Sequence, residues 1–181
     1  MVAGGSAGLA DGRRNAAGGN PTRGRGAAVK VQVLCVGRPG RVLAGPIAEF
    51  EARARRYFDL EVVEVRAGRG TPARVVEAEG AALCARLPAR HRCFVLTRTG
   101  RRMSSREIAD ELRDIATYGP SGASWVIGGA YGLSETVLAK ADRRVSLSAL
   151  TLPHELARLV LAEQLYRAGT IQRGEPYHKG D

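Results

Sequence analysis

Cysteine is scarce in this chain, and the cysteines that occur are poorly placed for a metal site or a disulfide framework. There are three among 181 residues, Cys35, Cys84 and Cys93. None belongs to a Cys-x-x-Cys pair or has a histidine at ligand spacing. The sequence therefore predicts neither a metal site nor disulfides, and we expect three small, buried, apolar side chains in a reducing cytosol.

Long apolar segments and the common nucleotide and hydrolase motifs are also missing from the sequence. The longest uncharged run, residues 115–134, contains five glycines and a proline, which indicates loops around a short strand and not a membrane span. The glycines within residues 128–132 do not fit a dinucleotide fingerprint, and there is no Walker-type phosphate loop. No G-x-S-x-G motif occurs, and His154 and Glu155 are not followed by a second metal ligand. Dehydrogenases, nucleoside triphosphatases and the familiar hydrolases are therefore disfavoured.

Lysine and the acidic residues are few beside arginine. The chain has 28 lysine and arginine residues against 18 aspartate and glutamate, a formal net charge of +10, and 25 of the 28 cations are arginine. Arginine suits bidentate contacts to phosphate and stacking on bases, so the charge favours an anionic partner such as nucleic acid. A solvated surface enriched in arginine by coding bias explains the charge equally well.

The first 28 residues differ sharply in composition from the rest. Eight are glycine and seven are alanine, and the segment has neither a hydrophobic period nor the apolar core of a secretory signal. We expect residues 1–28 to be a disordered, dispensable extension, with Val29 as the functional start. Residues 29–181 are predicted to form one folded domain.

From Val29 onward, β-rich runs alternate with helical periods. This alternation predicts an α/β fold with a mostly parallel sheet and helices on both faces. Pro46, the pair Thr71–Pro72 and the capping box Ser104–Glu107 mark helix starts. The predicted strands are 29–36, 60–65, 93–97, 124–127 and 145–148, and the predicted helices are 46–58, 72–86, 105–115, 134–141 and 153–168, followed by a tail without a helical period from 170 onward.

Three predicted loops follow the later strands: Thr97–Met103, Gly128–Leu133 and Ser148–His154. In parallel sheets, ligands bind where the chain leaves the carboxyl ends of the strands. Paired glycines let the main chain approach a flat ligand, and the leucines of residues 147–152 supply apolar walls that suit an adenine ring. A simple turn after a strand is the alternative that composition leaves open.

Four motifs in these loops and beyond give the chain a specific resemblance. They are Ile127–Gly132 (IGGAYG), Ser146–His154 (SLSALTLPH), Glu163–Ala168 (EQLYRA) and Pro176–Lys179 (PYHK). In this order they resemble the RlmH family, ribosomal RNA large-subunit methyltransferases of the SPOUT class, in register from about Val29 to the C-terminus. The resemblance implies a C-terminal trefoil knot and a cytoplasmic homodimer without a metal or a membrane. It also implies S-adenosyl-L-methionine as the cofactor, and methylation of N3 of a pseudouridine in 23S ribosomal RNA within the assembled ribosome.

The resemblance carries the cofactor contacts of the family onto eight residues of this chain. They are Leu96, Gly128, Leu147, Ser148, Ala149, Leu150, Thr151 and Leu152. The chain departs from some relatives in two places. Ala130 and Tyr131 replace a Pro-Glu pair, so no carboxylate there is assigned a role, and Thr97 stands where some members carry an acidic residue. Neither change removes a main-chain contact, so cofactor binding is still expected.

Methyl transfer to an imide nitrogen needs a base, because that nitrogen is a poor nucleophile until it loses its proton. Two of the three histidines, His154 and His178, lie in the resemblance motifs. We expect His178, together with Tyr177, to approach the uracil ring, and His154 to order the knot loop or to assist proton removal. A structural role is the alternative for either histidine, and His91 is expected to be structural.

Arg167 follows Glu163 at the i+4 spacing of a helix. The pair is either a simple surface ion pair or places Arg167 to hold a phosphate or a uracil carbonyl, and the motif resemblance favours the second. Arg101 and Arg102 are candidates for contacts to the RNA backbone, with a solvated turn as the alternative. The apolar stripe of the predicted helix 153–168 is either core or a dimer seam.

Two other functions compete with the methyltransferase. One is a ribosome-associated RNA-binding protein that keeps the knotted fold without catalysis, although the paired glycines and the two motif histidines weigh against it. The other is an unrelated nucleotide-binding enzyme on a parallel sheet, which the missing phosphate motifs disfavour.

Overall fold

The structure is a computed structural model that describes Met1, residues 28–177 and the backbone of His178. The expected extension, residues 1–28, falls almost entirely outside the described residues. The elements in chain order are β1 (Lys30–Val36), α1 (Arg41–Ala54), β2 (Asp59–Val65), α2 (Pro72–Cys84), β3 (His91–Arg102), α3 (Ser105–Tyr118), β4 (Gly122–Ile127), α4 (Glu135–Leu138), β5 (Arg143–Ser146), α5 (His154–Arg173) and a 3-10 turn (Pro176–His178). Of the described helices, none is long and apolar enough to cross a membrane.

The five strands form one sheet in the order β2-β1-β4-β3-β5. Every described strand pair is parallel, which confirms the predicted fold class. β1 and β4 are buried almost throughout, as expected for parallel strands covered on both faces. The carboxyl ends of β1, β4, β3 and β5 are therefore neighbours along one edge of the sheet. The threading of a knot at this edge stays a prediction of the family resemblance.

Helices cover both faces of the sheet. α1, α3 and α5 pack on one face around Phe94 and Trp125, whose stacked ring centroids lie 4.3 Å apart. α2 and α4 pack on the other face around Leu34, Val95 and Val126. Because α5 contacts both α1 and α3, its position over the sheet is held from two sides.

Helix α1 begins earlier than the sequence predicts. The prediction places its start at Pro46, whereas Pro46 lies inside Arg41–Ala54. The start is set by Gly40, whose amide donates to a carboxylate oxygen of Glu155 at 2.9 Å and whose carbonyl accepts from the first turn. Pro46 removes only the bond to the carbonyl of Val42, an exposed residue of that first turn. A contact from the other end of the chain therefore outweighs the local proline signal.

Strand β3 is longer than predicted, and most of the expected loop Thr97–Met103 is strand. The pairing of β3 with β5 shifts register between Leu96 and Arg101. Gly100 lies within this irregularity, where a Cβ atom would come within 2.5 Å of the backbone of Val145. The prediction of a loop is wrong because the lack of a side chain at Gly100 lets the two backbones approach and pair.

Other elements differ from the predictions mainly at their ends. α2 and β5 each end two residues earlier than predicted, and α4 is a single turn. α5 continues to Arg173, beyond the predicted end at residue 168. Ala168 and Thr170 are fully buried, so packing stabilises the last turns of the helix although the sequence there lacks a helical period. The capping box of α3 is confirmed. The Ser104 hydroxyl accepts a hydrogen bond from the amide of Glu107, and the Ser104 amide donates one to the Glu107 carboxylate.

Candidate active site

A cavity of about 550 Å³ opens at the carboxyl ends of β3, β4 and β5. Its wall consists of the outer part of β3, the loop after β4, the loop after β5 and the first turn of α5. The three stretches that the sequence singles out are thus brought together, although the first is strand and not loop. A concave site at this edge of a parallel sheet is the usual place for a small-molecule ligand.

The paired glycines after β4 bring the main chain itself to the cavity. A Cβ atom on Gly128 would lie 2.8 Å from the side chain of Leu133, and one on Gly129 would lie 2.5 Å from Oε2 of Glu79. A turn closes the loop, with the amide of Gly132 donating to the carbonyl of Gly129 at 3.1 Å. No side chain fits at either glycine without moving its neighbours, so the ligand meets bare backbone there.

The loop after β5 is shaped by its own serines. Oγ of Ser146 donates to the carbonyl of Ser148 at 2.8 Å, and Oγ of Ser148 accepts from the amide of Leu150 at 2.9 Å. Of the eight residues predicted to contact the cofactor, all but Ala149 line the cavity. Leu150 is exposed, so the rim presents an apolar side chain to an incoming ligand.

The charged side chains of the cavity wall are those of two arginines, Arg98 and Arg144. None of the described lining residues is acidic. The buried hydroxyl of Thr97 makes no hydrogen bond to any described residue, which leaves it for a polar group of a ligand. Within the described residues there is no cluster of three or more histidine, cysteine or acidic side chains that could hold a metal ion.

His154, the first residue of α5, is the predicted catalytic residue that the structure places at the cavity. A Cβ atom on Gly37 would lie 3.9 Å from its Nε2, so the imidazole packs beside the end of β1. The bond from the Gly40 amide to Glu155 ties the same turn of α5 to the start of α1. These contacts give His154 a fixed location between the cavity and the β1–α1 connection.

A buried ion network lies one turn further along α5. Nε of Arg158 donates to Glu51 of α1 at 2.8 Å, and Nη1 donates to Glu64 of β2 at 2.7 Å. Burial alone would lower the pKa of the Arg158 guanidinium, but the two hydrogen-bonded carboxylates raise it above its ordinary value. Cys35 lies against the same guanidinium, and burial raises the pKa of its thiol to about 11, so this cysteine is protonated and unreactive.

The cysteines as a set are buried less uniformly than predicted. Cys35 and Cys93 are buried, whereas Cys84 is only partly so, and all three are free thiols. Burial also raises the pKa of Cys93 to about 11. None of them lines the cavity at the sheet edge.

Arg167 and Tyr177 form a second cluster, toward the end of α5. Nη2 of Arg167 donates to Glu163 at 2.7 Å, the Tyr177 hydroxyl donates to the same oxygen at 3.1 Å, and the guanidinium lies 5.0 Å from the centroid of the Tyr177 ring. Burial and the negative charge of Glu163 raise the pKa of Tyr177. Neither Arg167 nor Tyr177 lines the cavity, and about 20 Å of helix separates Arg167 from His154.

The remaining predicted residues fall away from the cavity or outside the description. The backbone of His178 belongs to the 3-10 turn that follows α5, and its side chain lies outside the described residues. Arg101 forms an ion pair with Glu107 of α3. Neither Arg101 nor Arg102 lines the cavity, so the basic residue that β3 contributes to the wall is Arg98.

Sequence reasoning missed Arg98, Arg144 and Glu79. The two arginines lie on β3 and β5, and no local pattern marks them among 25 arginines. Glu79 does carry a signal, because it falls on the apolar stripe of α2 between Val75 and Leu83, where a carboxylate is out of place.

Comparisons with known proteins agree with one another. A family model described as "Predicted SPOUT methyltransferase" matches residues 29–178. A protein of Gemmatimonas aurantiaca named Ribosomal RNA large subunit methyltransferase H is 46% identical over 155 residues, and one of the same name from Listeria monocytogenes is 41% identical over 159 residues. Each alignment covers 83% of this chain and 100% of the relative.

One solved structure supports the fold independently. The crystal structure of a probable methyltransferase from Bordetella pertussis Tohama I matches with a TM-score of 0.51 and 20% sequence identity. The match covers 78% of this chain and 95% of that chain.

Proposed function

We propose that this chain, which belongs to the SPOUT methyltransferase family, methylates 23S ribosomal RNA with S-adenosyl-L-methionine as the donor. Its relatives in that family are the proteins named ribosomal RNA large subunit methyltransferase H. The acceptor in this proposal is N3 of a pseudouridine in the assembled ribosome, so the protein acts in the cytoplasm. The observation that carries the proposal is the glycine- and leucine-lined cavity at the carboxyl edge of the sheet.

The cavity fits this cofactor in shape and in chemistry. Gly128 and Gly129 leave a wall of bare main chain, and the leucines of residues 147–152 add apolar surface suited to an adenine ring. The unpartnered hydroxyl of Thr97 suits a polar group such as a ribose hydroxyl. We assign cofactor binding to Leu96, Gly128, Leu147, Ser148, Ala149, Leu150, Thr151 and Leu152. When bound, the cofactor supplies a methyl group activated by a sulfonium.

The residues of the chain perform the remaining steps. His178 takes the proton from N3 of the acceptor, with Tyr177 beside it, and Arg167 holds a phosphate or a uracil carbonyl. His154 keeps the cofactor loop in place or relays the proton. The leucines of residues 147–152 limit the access of water to the transfer.

A homodimer reconciles the two separated groups of residues. Within one chain, about 20 Å of α5 lies between His154 at the cavity and Arg167 in the second cluster. If each cavity meets the Arg167 and Tyr177 of a second copy, both groups reach the same acceptor.

Light scattering at working concentration tests the dimer. Mixed dimers test the shared site: a His178→Ala chain paired with a Gly129→Val chain regains part of the activity only if cofactor and base come from different copies.

Calorimetric titration with S-adenosyl-L-methionine separates the enzyme from a non-catalytic RNA-binding protein. Binding supports the methyltransferase, and its absence supports the binding protein.

Replacing His178 with alanine abolishes methylation and spares cofactor binding if His178 is the base, whereas equal loss of both indicates that the tail only covers the site. Mass spectrometry of 23S ribosomal RNA from a strain without the gene identifies the target. An unchanged modification map would defeat the assignment.

The extension at residues 1–28 is proposed to be disordered and dispensable for this reaction. A chain that starts at Val29 then keeps full activity on ribosomes. Loss of activity in that truncation would show that the extension takes part.

A further inference from the structure

A buried carboxylate lies directly behind the cavity wall. Glu79 of α2 is 4% exposed, and its Oε1 accepts a hydrogen bond from the amide of Gly68 at 2.9 Å. Its other oxygen, Oε2, is buried and makes no hydrogen bond to any described residue. A buried carboxylate oxygen without a partner is rare in folded proteins and calls for an explanation.

Oε2 of Glu79 points toward the glycine loop. A Cβ atom on Gly129 would lie only 2.5 Å from it, and Gly129 lines the cavity on its other side. This oxygen therefore lies against the main chain of Gly129, with Cγ1 of Val36 also close to that position, and Gly129 is itself part of the cavity wall. Glu79 can approach this closely only because Gly129 has no Cβ atom. The glycine therefore both leaves main chain bare at the cavity wall and makes room for the carboxylate.

The charge of the wall makes this carboxylate significant. Arg98 and Arg144 line the cavity, and no acidic residue is among the described lining residues. A ligand with a positive charge near these arginines is repelled unless a negative charge lies close by. Charges that face each other through a water-poor interior interact far more strongly than across bulk water.

We propose that Glu79 is the specificity residue that favours the cationic donor over its neutral product, acting across the main chain of Gly129. The proposal rests on the proposed function, because it takes S-adenosyl-L-methionine as the ligand of the cavity. Transfer of the methyl group turns the sulfonium into a neutral thioether and so removes the attraction to Glu79. The same carboxylate therefore strengthens binding of the donor and eases release of the product.

The test is calorimetric titration of the full chain and of Glu79→Gln with S-adenosyl-L-methionine and with S-adenosyl-L-homocysteine. Glutamine keeps the shape of the side chain and the oxygen that accepts from Gly68, and it replaces Oε2 by an uncharged NH2 group, so the negative charge is removed with little change in volume. We expect the Kd for the donor to rise about tenfold or more and the Kd for the product to change less than about threefold. Equal changes for both ligands, or no change for the donor, would overturn the proposal.

Two further variants keep the outcome unambiguous. Glu77→Gln removes a charge from an exposed position of the same helix and leaves both constants as in the parent. Glu79→Asp keeps the charge, so it preserves the ratio of the two constants even if both ligands bind more weakly; a ratio as low as that of Glu79→Gln contradicts the proposal. If the unaltered protein binds neither ligand, the proposed function fails along with this inference, whereas binding of both with an unaltered ratio in Glu79→Gln removes only the inference.

Discussion

Arg158 and Arg167 lie on the same helix and both pair with glutamate, yet their surroundings are opposite. The Arg158 side chain is 8% exposed and lies between carboxylates of α1 and β2, whereas that of Arg167 is 27% exposed and pairs within its own helix. The first arginine joins three elements beneath the cavity. The second joins α5 to the short turn at Pro176–His178 through Tyr177. Burial and the origin of the partners therefore distinguish an arginine that joins three elements from one whose described glutamate partner lies on its own helix.

The largest effect is expected when Arg158 is replaced. Arg158→Met leaves the buried carboxylate of Glu51 without its arginine, while Glu64 keeps its other partner, Arg38. Removal of one partner from a buried ion pair lowers the free energy of unfolding by about 3–5 kcal/mol. Urea unfolding followed by circular dichroism measures the change. The triple variant with Glu51→Gln and Glu64→Gln regains a large part of the loss, because no buried carboxylate is left unpaired and the arginine that Glu64 releases, Arg38, is exposed. A loss of unfolding free energy below about 1 kcal/mol in the single variant would show that Arg158 contributes no more to stability than a surface ion pair does.

Replacement of Arg167 is expected to act on activity and not on stability. In Arg167→Met, loss of a charged hydrogen bond to the substrate lowers kcat/KM by about 10- to 100-fold. The half-buried pair with Glu163, at i, i+4 spacing within one helix, contributes only about 0.3–0.5 kcal/mol to stability. Methylation of ribosomes and urea unfolding are measured on the same preparation. If unfolding shifts as far as in Arg158→Met, Arg167 belongs to the fold and not to the site.

A smaller effect is expected at the first turn of α5. Glu155→Ala removes the acceptor of the Gly40 amide, which lowers stability by about 1 kcal/mol and frays the start of α1. Hydrogen exchange of the Gly40 amide reports the change directly. Glu155→Gln, which keeps an acceptor at that position, serves as the control. Unaltered protection of Gly40 in the alanine variant would mean that α1 fixes its own start.

The smallest effect is expected from His91, which extends the comparison from arginine to a histidine whose pKa is lowered in the fold. Burial and the positive charge of Lys30 lower the pKa of His91 from its ordinary value of 6.5. A histidine that binds its proton less well when folded favours the unfolded chain in acid, so stability falls as the pH drops through about 6.5. His91→Gln loses less stability than the parent between pH 7.5 and 5.5 in urea unfolding. An identical pH dependence in the two proteins would rule out this contribution.

The loops after β4 and β5 were predictable from the sequence, and so was the presence of the Thr97–Met103 stretch at the site, while its strand form was not. Paired glycines behind a buried strand and a leucine-rich turn are local signals, and the structure brings both to one cavity. The Thr97–Met103 stretch has polar residues and Gly100, which locally indicate a loop. Its strand form depends on pairing with Val145 and Ser146, more than forty residues away, which no local pattern encodes.

The contacts of the charged side chains divide in the same way. The pairing of Arg167 with Glu163 was readable because the i+4 spacing alone creates it in a helix. The ion-pair partners of Arg158 come from α1 and β2, so no residue close to it in the sequence indicates them. Glu79 was visible only as a misplaced carboxylate on an apolar stripe, and its approach to Gly129 appears once α2 is packed on the sheet.

The sequence by itself determined the alternation of strands and helices, the capping of α3, the glycine and leucine loops and the membership of the family, because each is a pattern among residues close in the chain. Tertiary structure alone decided that α1 starts at the carboxylate of Glu155, that β3 extends past Gly100, and that Glu79 stands behind the cavity wall. Those features depend on groups that meet only when the chain folds, and the free energy of such contacts outweighs the local preferences of a proline, a glycine or a polar turn.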